Sequence, residues 1–152
     1  MTTIPDHALR HSRALLDHVF QRQCGLTLVE QEPGRCLCRL TVTPAIDNLS
    51  HCLHGGVTYA MLDVTSMLAT LPLLGPDEYA VSTSMAVSIL TAVPRNTEAE
   101  FESQVVRAGR TMIFTSCRAV RIGQDGRRTV FATGQITKAR LRQDIRALTR
   151  AA

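Results

Sequence analysis

The chain has 152 residues, the size of one ordinary domain, and a hydrophobic fraction of 45% against 20% charged residues sets it apart from disordered chains. Its most apolar stretch, around residues 57–74, is interrupted by Thr58, Asp63, Thr65, Ser66 and Thr70, which excludes an unbroken bilayer span of roughly 20 apolar residues. Five basic residues against one acid after position 137 account for the whole formal charge of +4, and with aromatics at only 4% and no tryptophan the pattern does not read as a nucleic-acid-binding face.

Met1 to Arg13 is polar and carries no apolar signal region, and the five cysteines (Cys24, Cys36, Cys38, Cys52, Cys117) show no paired C-x-x-C spacing. A cytoplasmic chain with reduced, mostly packing thiols is expected.

Residues 6–21 set Leu9, Leu15, Leu16, Val19 and Phe20 near one another on a helical wheel, predicting an amphipathic helix laid on a larger body. Residues 26–30 read as a short strand and Glu32-Pro33-Gly34 as a turn. The alternation from Cys36 to Val42 then predicts a strand burying Cys36, Cys38, Leu40 and Val42. Gly55-Gly56 opens a helix that Pro72 stops near Leu71. It is apolar nearly all round, through Val57, Tyr59, Met61, Leu62, Val64, Leu68 and Ala69, so it must be buried nearly all round. Runs rich in β-branched residues at 79–90, 98–107, 112–122 and 129–136 follow as strands. Hairpin chemistry at Ala108-Gly109-Arg110 and Gln124-Asp125-Gly126 predicts antiparallel pairing between sequence neighbours. The expectation is an α+β domain over residues 1–137, with a four-stranded meander in a sheet curled round its helix. Residues 138–152 are expected to form a basic helical tail, with Leu141, Ile145 and Leu148 striped among Arg140, Arg142, Arg146 and Arg150.

Chemistry concentrates between Asn48 and Asp63. Glycines at a helix start let a ligand approach the backbone, and the free N-terminal amides with the helix dipole can polarise a carbonyl oxygen. Asp63 is an ionisable group inside an apolar helix, where desolvation costs on the order of several kcal/mol unless something compensates. Either it lies on a narrow polar edge with Ser66 or Thr70 and simply accepts hydrogen bonds, or it does chemistry. It follows Gly56 by seven positions, on the same helical face but about 10 Å along the axis. If both act on one bond, a second copy running antiparallel must bring one helix's amides beside the other's Asp63, which predicts a homodimer with shared active sites.

The segment resembles the His-Gly-Gly signature of the hotdog thioesterase superfamily, in particular the branch similar to phenylacetate-degradation thioesterases, with likeness from about residue 25 to residue 138. The resemblance implies the hotdog fold, a curved antiparallel sheet wrapped round one long central helix, and hydrolysis of acyl-CoA thioesters to free acid and coenzyme A. It implies no metal and no cofactor, coenzyme A being part of the substrate. On the matching positions, the amide of Gly56, with that of Gly55, polarises the thioester carbonyl, and Asp63 acts as general base or nucleophile. Asn48 orients the thioester or the attacking water, and Ser82 positions water beside the partner's acid. His54 fixes the start of the helix. Arg107 and Arg110 suit a phosphate of coenzyme A or a solvated turn. The partners expected are an acyl-CoA substrate and a second copy of the chain, with a homotetramer left open, and neither nucleic acid nor membrane.

Three other readings compete. His51, Cys52 and His54 with Cys36 or Cys38 fit no strong zinc spacing. Cys52 as a thiol nucleophile would need contacts with His51 or His54 that adjacent residues on an extended loop cannot be assumed to make. From other function classes come a non-catalytic acyl-CoA binding or sensing module and a hotdog hydratase working by proton transfer on the acyl chain.

Overall fold

A computed structural model describes residues 3–142. In chain order they form helices α1 (Asp6–Leu16) and α2 (Val19–Gln23), strands β1 (Thr27–Glu32) and β2 (Arg35–Thr41), the long helix α3 (Gly55–Thr70) running into a single 3-10 turn (Leu71–Leu73), and strands β3 (Glu78–Ile89), β4 (Glu98–Ala108), β5 (Met112–Ile122) and β6 (Arg128–Arg142). All six strands make one antiparallel sheet in the order β1-β2-β4-β5-β6-β3.

Strand periodicity decides which side of the sheet meets the helix. Cys36, Cys38 and Leu40 of β2, Ala99 and Phe101 of β4, Ile113, Cys117 and Ala119 of β5, and Phe131 and Ile136 of β6 are buried, and they face Met61, Leu62, Leu68 and Ala69 of α3 in one core. Phe101 and Phe131 meet edge to face, with ring centroids 5.9 Å apart. Three hydroxyls of α3 are satisfied within the helix. Thr65, Ser66 and Thr70 donate to the carbonyls of Met61, Asp63 and Ser66.

Three expectations need correction. The first helix breaks at Asp17-His18, and its buried contacts are the small residues Ala8 and Ser12, which let the helix sit close, while Val19 and Phe20 are exposed. The last four strands are not a simple meander. β4, β5 and β6 are, but β3 crosses to pair with β6 at the far side. The basic tail begins later than residue 138, because β6 continues as strand through Arg142, with Lys138 fully buried. The rest of the expected tail, residues 143–152, lies outside the described residues.

Two strand details position the site. Ser82 stands directly opposite Lys138 across the β3–β6 pair. Just beyond, the register shifts between Ser82 and Ser84, a bulge that changes which residues face inward. Ala80 and Ser82 lean toward the helix before it, and Met85 and Val87 after it.

Candidate active site

The loop before α3 is held by its own polar groups. Asn48 Oδ1 accepts from the amides of Ser50 and Cys52 at 2.9 and 3.2 Å, and the Asn48 amide donates to the Cys52 carbonyl at 2.8 Å. Arg95 pairs with Asp47 and contacts His51 Nδ1, tying this loop to the chain that enters β4. His54 is the N-cap of α3, extended at φ −63° and ψ 132°, and its Nδ1 accepts from the Gly56 amide at 2.9 Å. An accepting Nδ1 places the proton of the neutral ring on Nε2.

The cap distinguishes the two glycine amides. The Gly56 amide is engaged by His54, whereas the Gly55 amide, one residue nearer the helix start, meets no acceptor among the described residues. Gly55 borders a cavity of about 340 Å³ that also touches Asn48, Thr58, Ile89, Leu90 and Phe131. A carbonyl oxygen in that cavity would find a free N–H at the positive end of a helix dipole.

Farther along α3, Asp63 points at the sheet rather than along a polar edge of its own helix. Ser82 donates to Asp63 Oδ1 at 2.5 Å, and Lys138 Nζ donates to the same oxygen at 3.0 Å and to Ser82 Oγ at 2.7 Å. Ser66 and Thr70 do not touch the carboxylate; their hydroxyls donate to backbone carbonyls. Oδ2 has no partner among the described residues, and the Asp63 side chain is 37% exposed while that of Lys138 is wholly covered. Burial pushes the Lys138 ammonium below the ordinary lysine range, and the charge and hydrogen bond of Asp63 pull the other way.

Asp63 and Ser82, expected to cooperate across two copies, are thus in contact within one chain. Asn48, His54, Gly55 and Gly56 form a second group at the helix start, about 10 Å away along the axis. Arg107 and Arg110 sit on the exposed β4–β5 hairpin, near where Met112 pairs with Ala139, the residue after Lys138. Neither arginine pairs with an acid among the described residues. Lys138 escaped the sequence reading because its neighbours Arg140 and Arg142 made it look like the start of a basic tail. The signal that could have found it is the inward alternation with Ile136.

Residues 51–127 match the family model described as the thioesterase superfamily. The chain belongs to the thioesterase superfamily. It is 30% identical over 100 residues to human acyl-coenzyme A thioesterase 13, covering 64% of this chain and 69% of that protein. Among solved structures, a thioesterase family protein from Silicibacter pomeroyi superposes with a TM-score of 0.82 at 20% identity, over 89% of this chain and 98% of that one. The PaaI protein of the E. coli phenylacetic acid degradation operon gives 0.77 at 16% identity, over 91% and 96%. Zebrafish thioesterase superfamily member 2 gives 0.71 at 25% identity, over 86% and 93%. The first two likenesses establish the hotdog fold, and the family assigns the chain to the thioester-hydrolysing enzymes. No metal-binding cluster of histidine, cysteine or acidic residues occurs among the described residues.

Proposed function

We propose that this thioesterase hydrolyses acyl-CoA thioesters, with the Gly55 amide as oxyanion donor and Asp63 of a second copy as the group that activates water. The carrying observation is the division of labour along α3, a free amide at its start and a half-open carboxylate oxygen two turns on, in a chain of this family. Similarity to acyl-coenzyme A thioesterase 13 supports coenzyme A as the leaving thiol.

The separation of the two groups sets the assembly. A water activated at Asp63 cannot attack a carbonyl held at the Gly55 amide of the same helix, about 12 Å away. The outer edge of β3 offers a place for the second copy: it is 12 residues long, pairs among the described residues with β6 on one side only, and exposes Tyr79, Val81 and Ile89. Two such edges meeting antiparallel run the two helices in opposite directions and bring each Gly55 toward the other's Asp63.

In the reaction, water oxygen bonds to the thioester carbonyl carbon while its proton passes to Asp63 Oδ2. The Gly55 N–H holds the oxyanion, with the Gly56 N–H available once the His54 ring turns aside. Collapse breaks the carbon–sulfur bond, and the proton on Asp63 goes to the coenzyme A sulfur. Asn48 keeps its carboxamide NH₂ for the thioester or the water, since its oxygen is engaged in the loop. Ser82 orients Asp63, and Arg107 and Arg110 receive a phosphate of coenzyme A. Direct attack by Asp63 on the carbonyl uses the same free oxygen and expels the thiolate to leave an aspartyl–acyl anhydride; label from ¹⁸O-water found in Asp63 after a single turnover, from water opening that anhydride at the aspartyl carbonyl, marks this route, which the base mechanism cannot produce.

The deciding experiment is thiol release from a panel of aromatic and aliphatic acyl-CoA esters. Turnover that collapses in Asp63→Asn is expected. Acyl-CoA binding without thiol release, in both forms, would make the chain a binding module instead.

A further inference from the structure

Lys138 has no part in the reaction just described, yet its placement is costly. β6 turns Ile136 and Lys138 to the same inner face, and an apolar side chain there would fill the space without desolvating a charge. Solubility does not explain it, because the ammonium is fully covered. Its polar contacts run to two atoms, Asp63 Oδ1 and Ser82 Oγ, and Ser82 closes the triangle by donating to that same Oδ1.

We infer that Lys138 is a positioning residue for the hydrolysis: it anchors one oxygen of Asp63 through a direct contact and a second contact routed through Ser82, so that Oδ2 alone faces the reacting water. The role rests on the reading of Asp63 as the reacting group. With two donors fixed on Oδ1, rotation about the carboxylate axis would break two charge-assisted hydrogen bonds, which holds the free oxygen in one direction. Ser82 follows from the same geometry. Its proton goes to Asp63 and one lone pair to Lys138, so it cannot also donate to water or substrate.

The titratable groups facing Lys138 are Asp63 from α3 and Cys117 from β5, with the Ser82 hydroxyl from β3. Burial raises the Cys117 thiol and thus keeps it uncharged, which leaves Asp63 as the counter-charge. Because burial lowers Lys138, the ammonium loses its proton at a lower pH than an exposed lysine, and the anchor is lost as pH rises through that value.

The test compares the unmutated protein, Lys138→Met, Asp63→Asn and the double variant. Methionine keeps the length and removes the charge. The expected result is a kcat lower by about 10- to 100-fold, the weight of a hydrogen bond to a charged group, at a KM within about twofold. Thermal stability should fall, since the variant leaves Asp63 without its counter-charge, and kcat is therefore read at a temperature where both proteins are folded. The alkaline limb of the kcat profile should vanish, and the double variant should be no slower than Asp63→Asn alone. A Lys138→Met protein that turns over like the parent, or a double variant in which the losses multiply, overturns the positioning role while leaving Asp63 in place. An Asp63→Asn variant with parental activity overturns the underlying reading and this role with it. Should Lys138→Met not fold, Lys138→Gln, which keeps a neutral donor, carries the same four-way comparison with the same outcomes.

Discussion

The start and the middle of α3 solve opposite electrostatic problems. At the start, charge stabilisation comes from the backbone: a free amide at Gly55, a histidine cap on Gly56, and a loop folded on Asn48 and tied by Arg95 to the chain that enters β4. Two turns later, three side chains from α3, β3 and β6 close a triangle around one carboxylate oxygen, with partners up to 75 residues apart in sequence. The first arrangement is mostly exposed; the second is long-range and partly buried. A backbone donor keeps its place whatever side chain surrounds it, whereas the carboxylate depends on the register of two strands.

That contrast is sharpest when each end is disabled with the least disturbance. Asp63→Asn preserves shape and the hydrogen bond from Ser82 but removes the base, and kcat should fall by about 10²- to 10⁴-fold in a thiol-release assay, with a lower melting temperature because the covered Lys138 loses its counter-charge. A loss below tenfold would place the chemistry elsewhere.

At the other end a backbone donor can be deleted by proline. Gly55 is the first residue of α3, where proline's fixed φ and missing N–H are tolerated, and His54 before it is already extended. The added Cβ meets Ile89 Cδ1 at 3.4 Å, the movable end of a side chain. Gly55→Pro should therefore fold with near-parental stability and lose about 10²- to 10³-fold in kcat, the weight of one oxyanion donor. Parental kcat in this variant would return the oxyanion to Gly56.

Gly56→Ala is the milder companion. Its new Cβ would lie 3.1 Å from His54 Nδ1 and 3.2 Å from Cε1, so the ring must give way. The weakened cap should cost up to about 1 kcal/mol in chemical denaturation. The change in kcat should stay within roughly fivefold, because the Gly55 amide, the proposed oxyanion donor, is untouched.

The same division explains what could be read in the sequence. Gly55, Gly56, His54 and Asp63 lie within one short segment, and the glycine pair and an acid in an apolar helix are local signals. The β2 alternation and the β4–β5 and β5–β6 hairpins are local too, and the structure has them as expected. The place of β3 was not legible, because no tight turn joins it to β4 and its partner is instead residues 132–142 of β6, a strand of 15 residues. Nor was the bulge after Ser82, which changes the inward parity of β3 without any glycine or proline to mark it. Lys138 needed both facts. Only with β3 beside β6 in this register does a lysine amid tail-like arginines become the partner of Asp63.

The smallest expected effect concerns the β4–β5 hairpin, which stands beyond the Lys138 end of the triangle. Two exposed arginines without acidic partners can attract a phosphate, but solvent and salt weaken the attraction. Arg107→Ala with Arg110→Ala should raise KM for an acyl-CoA by about two- to fivefold at low salt, leave kcat unchanged, and lose its effect near 0.5 M sodium chloride, where screening shortens the reach of exposed charges. A pantetheine thioester, which lacks the nucleotide, should show no difference between variant and parent. A KM that stays the same for both substrates would mark the hairpin as a solvated turn, with the nucleotide held by another part of the surface.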